Sequence, residues 1–99
     1  MADARDREKL QQIRAWLGKA FEGYAITDRN VSPAAAAGFA IEAHSRTYYL
    51  EIDRDFLDSH AADELPRVLD SVRLHDELCR AEGMPMILTQ RGVRLVSSN

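Results

Sequence analysis

"FAIEAHSRTYYLEID", residues 39–53, decides how this 99-residue chain folds. Phe39, Ile41 and Ala43 alternate with Ala40, Glu42 and His44; Tyr48, Leu50 and Ile52 then alternate with Thr47, Tyr49 and Glu51. A period of two is that of a strand with one face buried, so the stretch predicts a hairpin with a wet side and a dry side. A turn at Ser45 and Arg46 pairs 43 with 48, 41 with 50 and 39 with 52, which places both apolar rows on one face. Ser-Arg is not the Asn-Gly expected of a tight primed turn, so the pairing rests on the rows rather than on the turn.

Upstream, the period changes. Leu10, Ile13, Leu17, Ala20 and Phe21 recur at steps of three and four, with Tyr24 continuing the row, and predict one helix from Asp6 to Phe21. Asp3 and Asp6 favour its N-terminal dipole, Gly23 offers a left-handed stop, and Trp16 flanks the stripe. "TDRNVSPAAAAG", Thr27 to Gly38, combines turn formers with a proline and four alanines and reads as a connector.

Downstream, Leu65, Val68, Leu69, Val72 and Cys79 form a broad stripe with Leu78 beside it, which predicts a second helix ended by Gly83. Asp63 is a cap and Pro66 fits a first turn, where amides lack intrahelical partners. "MPMILTQRGVRLV" reads as a second hairpin around Gln-Arg-Gly. A two-residue turn at Arg91 and Gly92 pairs Ile87 with Val96, whereas a three-residue turn ending in Gly92 pairs Met86 with Val96. The whole is expected to be a single α+β domain over residues 1–99, in the order α-β-β-α-β-β. Its four-stranded, mostly antiparallel sheet carries both helices on one face.

Composition narrows the function. The chain is 45% hydrophobic and 29% charged with 5 Gly and 3 Pro, the balance of a folded globular domain. It is charged from the third residue, lacks an apolar leader and has no window near ~18 apolar residues, so a cytoplasmic address is expected. Cys79 stands alone and has no internal disulfide partner. Eleven of the thirteen basic residues are arginine, the usage expected of a GC-rich bacterial genome. Net charge is −3, and residues 39–83 carry eleven acidic against five basic groups, which opposes phosphate binding there. Arg91 and Arg94 alone remain as nucleic-acid candidates.

Four residues on the wet side of the first hairpin, Glu42, His44, Tyr49 and Glu51, could gather an acid, a base and a phenol, the elements of general acid–base chemistry. That chemistry also needs a pocket that shifts their protonation, and no element visibly covers them. "DRDFLDSHAADE", Asp53 to Glu64, matches a calcium loop at its first, third and twelfth positions only; Asp58 replaces the turn glycine and Leu57 an oxygen ligand. His60 and His75 lack a paired ligand at helical spacing, and Cys79 reads as a small core hydrophobe rather than a nucleophile. There is no Gly-rich phosphate loop and no G-x-S-x-G elbow.

The sequence therefore predicts a small module that binds another protein or its own copy, without catalytic activity, metal or cofactor. Apolar residues on both faces of the last hairpin point to a homodimer, with Ile87, Arg94 and Val96 as its interface. If Val93 and Leu95 face the helices, the opposite face needs a cover; the rival cover is the first helix crossing to that side. Two alternatives stand beside the module: a small hydrolase or isomerase using the Glu42, His44, Tyr49 and Glu51 face, and nucleic-acid binding through the C-terminal hairpin.

Overall fold

The computed structural model describes residues 4–29 and 35–95. Among them the first hairpin is β2 (Ala35–Glu42) and β3 (Thr47–Asp53). Its rows face as their period requires: Phe39, Ile41, Tyr48, Leu50 and Ile52 are buried together in one core. The pairing differs from the expected one by two residues. Phe39 lies opposite Leu50, Ile41 opposite Tyr48 and Glu42 opposite Thr47, around a four-residue loop in which Ala43 N–H donates to the Arg46 carbonyl at 2.7 Å. Without residues that tolerate positive φ, Ser45 and Arg46 do not make a two-residue primed turn, and the chain takes a wider loop. An even shift leaves every side chain on its own face, so the core is unchanged.

The sheet has five strands rather than four. A strand β1 (Ala25–Asp28) pairs antiparallel with β2, and the alanines of the expected connector begin β2, with a register irregularity between Ala35 and Ala37. Alanine is a weak strand former in isolation, and pairing with β3 overrides that preference. The order is β1-β2-β3-β4-β5, with β4 (Met86–Thr89) parallel to β3 and β5 (Gly92–Leu95) antiparallel to β4. The sheet is mixed because β3 runs directly into helices and the chain crosses over before it pairs again, as a parallel neighbour requires.

That crossover is not one helix. It consists of α2 (Arg54–Ser59), a 3-10 turn (Ala62–Glu64), α3 (Leu65–Ser71) and α4 (Leu74–Arg80). Leu65, Leu69, Leu74 and Leu78 are all fully buried, although five residues separate Leu69 from Leu74. On an unbroken helix that step swings Leu74 about 140° from Leu69. Arg73, at φ 55°, breaks the helix and returns Leu74 to the core. The buried row is thus carried by Leu74 and Leu78, while Val68, Val72 and Cys79 are only partly covered.

α1 (Ala4–Ala20) buries Ile13 and Leu17 completely, and Phe21 follows just beyond its end. Arg14 donates to the Ile26 carbonyl at 2.8 Å, Trp16 Nε1–H to Asp70 at 2.8 Å, and Lys9 to the Leu57 carbonyl at 2.7 Å. These bonds tie α1 to β1, α3 and α2 on the same side of the sheet as the crossover, so α1 does not cross to the other face. The buried apolar helix residues share one core with the inward row of the sheet.

The second hairpin turns at Gln90 and Arg91, so that Thr89 faces Gly92, Leu88 faces Val93, Ile87 faces Arg94 and Met86 faces Leu95. Neither expected register occurs, because Gly92, at φ 110°, sits at the start of β5 rather than within the turn. Val96 lies outside the described residues. No described helix is long and apolar enough to cross a membrane.

Candidate functional site

Every described helix packs on one side, so no described helix covers the other face of the five strands, although Gly38, Ala40 and Glu51 on it are buried. Parity with the buried row assigns Ala40, Glu42, Tyr49, Glu51, Ile87 and Arg94 to it. Gly38, Glu51, Ile87 and Arg94 form one row across four strands, and Ala40 and Tyr49 lie opposite each other in the next. Glu42 faces Thr47 and Ala25 rather than Tyr49, and His44 stands in the exposed loop beyond the strand ends. The four residues of the expected acid–base cluster are therefore spread over a sheet surface and a loop. Glu42 and His44 are open to water, with no element enclosing them in a pocket.

Two features set this face apart from a plain wet surface. The Arg29 guanidinium lies over the Tyr49 ring, 4.4 Å from its centroid, and its Nη1 is shut off from water without a hydrogen-bond partner among the described residues. Glu51, two residues along β3, is only 8% exposed, the one buried charged residue among those described. The sequence hid Arg29 within an apparent connector. Only the pairing of Asp28 with Phe39, which turns the next residue outward, reveals where it stands.

A second concentration of polar groups lies on the helix side, where the β2–β3 loop meets the end of α4. Phe21 packs against Tyr48 at 5.5 Å and His75 at 4.7 Å, and the Tyr24 and Tyr48 rings stack at 6.0 Å. Cys79 Sγ is 3.9 Å from His75 Nε2. Loss of water and the adjacent Tyr48 phenol hold the Tyr24 hydroxyl above its usual value, and the hydrogen bond to Tyr48 raises the Arg46 guanidinium. Beside this cluster opens a cavity of about 420 Å³ bounded by Ser45, Arg46, Thr47, Tyr48, Cys79, Glu82 and Gly83.

Other expected ligands are scattered. Asp53 precedes α2, Asp55 and Asp58 lie within it, and Asp63 and Glu64 belong to the 3-10 turn. His60 stacks on Phe56 at 4.5 Å, with Nδ1 buried and unbonded. Among the described residues no group of three or more His, Cys, Asp and Glu could hold a metal ion. Arg91 lies in the β4–β5 turn and Arg94 is exposed on the edge strand, the two cations of the second hairpin. No family model, curated protein or solved structure matches the chain.

Proposed function

We propose that the chain is a protein-interaction module without catalytic activity, and that it associates with a second copy of itself through the bare face of its sheet. The observation that carries this reading is the mixed charge of the face away from the helices: Arg29 lies over the Tyr49 ring there, Arg94 adds a second, exposed cation and Glu42 an exposed carboxylate. A surface that holds both signs complements its own copy across a twofold axis. Ile87 and Tyr49 supply apolar contact between them.

The size of the face sets the strength. Five strands of up to seven or eight residues span roughly 20 by 25 Å at ordinary sheet spacings, or about 500 Å². A standard interface covers about 800 Å² per partner, so association belongs in the weak, concentration-dependent range. Light scattering across a concentration series tests it. Wild type is expected to shift from monomer to dimer, and Ile87→Glu to remain a folded monomer at every concentration. A wild type that stays monomeric at millimolar concentration rules the reading out, as does an Ile87→Glu chain that still dimerises.

A further inference from the structure

The cavity between the β2–β3 loop and the end of α4 lies on the opposite side of the sheet from the proposed interface and has a chemistry of its own. Ser45, Arg46 and Thr47 form one wall, Glu82 and Gly83 form the other, and Tyr48 and Cys79 line the space between them. The walls meet at Gly83: a Cβ built there would stand 3.3 Å from the Thr47 carbonyl oxygen, so the two segments are in close contact. Gly83 also takes φ 89° and Glu82 φ 53°, two successive left-handed residues that turn the chain sharply after α4. The backbone that sets the cavity is therefore already folded into place, at a volume of about 420 Å³ that is ordinary for a small-molecule site.

Its charges are opposed. Arg46 stands on one wall and Glu82 on the other, and neither joins an ion pair among the described residues. A ligand bearing one charge gains from one wall and is repelled by the other; a ligand bearing both gains from each. We infer that the cavity binds a small zwitterion of the amino-acid class, its carboxylate toward Arg46, its ammonium toward Glu82 and its remaining atoms against Tyr48 and Cys79. The hydroxyl of Ser45 adds a donor on the carboxylate side.

Cys79 makes the inference directly measurable. It is the only cysteine of the chain and lines the cavity, so the rate of its alkylation by iodoacetamide, followed by mass spectrometry, reads occupancy. The probes are L-serine, L-methionine and L-alanyl-L-alanine, with propionate and ethylamine as single-charge controls. At least one zwitterion is expected to slow alkylation, about tenfold at ten times its Kd by mass action. The controls leave the rate unchanged, and Arg46→Met and Glu82→Gln each remove the protection. Both substituted side chains are exposed, and an unchanged melting temperature confirms that each variant is folded. Amide shifts at Thr47 and Gly83 in wild-type NMR spectra give a second reading that needs no variant. The inference is overturned if no zwitterion slows alkylation or moves those amides at concentrations on the order of tens of millimolar. Equal protection by the single-charge controls, or protection that survives both substitutions, overturns it too.

Discussion

Leu50 and His44 show how far single residues follow from parity. Leu50 is fully buried in the central strand and His44 is exposed in the loop, although they stand only six positions apart. Leu50→Ala is expected to cost about 2 to 5 kcal/mol, and His44→Ala no more than about 0.5 kcal/mol, in urea unfolding. Similar small losses for both would mean that the faces are exchanged. Tyr24 gives a pH signature. Its hydroxyl is held above the ordinary value of 10.0, so the folded chain keeps this proton more firmly than the unfolded one does. The resulting stabilisation is complete below pH 10 and is lost as pH rises through the folded value. Tyr24→Phe should remove that part of the alkaline decline in melting temperature; an identical decline in both proteins would contradict it.

At the scale of elements, the break between α3 and α4 is the feature with the sharpest test. Arg73 occupies the left-handed region at a cost of about 1 kcal/mol for a residue with a Cβ. Arg73→Gly is therefore expected to be neutral or to stabilise by up to ~1 kcal/mol, and Arg73→Val to destabilise by more than ~1 kcal/mol. In an uninterrupted helix the same glycine would cost about 1 kcal/mol, so the sign of the change separates the two geometries in one denaturation experiment. The broad stripe that suggests one long helix mixes residues from both pieces. Val68 and Val72 flank the buried row of α3, Cys79 flanks that of α4, and the jump from Leu69 to Leu74 is the signal that the stripe changes phase.

For the whole molecule, the consequence of packing every described helix on one side is a sheet with two unlike faces. One closes a core in which twelve large side chains are essentially inaccessible; the other carries Arg29, Tyr49 and Ile87 together with the buried Glu51. Acids along the crossover do not converge, and thermal melts with calcium, zinc or manganese at micromolar concentration are expected to match the metal-free melt. A clear rise would expose a site that the described side chains do not assemble, since a ligand bound only to the native state raises its stability. Dimerisation through the mixed-charge face carries its own whole-molecule signature. It should weaken as salt rises through the range where the Debye length falls from about 10 to 3 Å, which sedimentation at increasing ionic strength measures.

The amino-acid order by itself settles which way each residue of β2 and β3 points and which stripe α1 buries, because those patterns are local and repeat over many residues. Period two in Phe39–Ile41 and Tyr48–Ile52 survives a pairing shift of two, since parity depends on the strand and not on its neighbour. What depends on distant partners waits for the fold. Ala25–Asp28 becomes a strand only because β2 offers it an edge, and the alanines from Ala35 do so only because β3 pairs with them. Whether Glu42 meets Tyr49, and whether Met86 or Ile87 meets Val96 or, as here, Met86 meets Leu95, turns on loop lengths that Ser-Arg and Gln-Arg-Gly leave open. The bare face, the stranded nitrogen of Arg29 and the cavity walled by Arg46 and Glu82 likewise exist only once segments far apart in the chain are brought together.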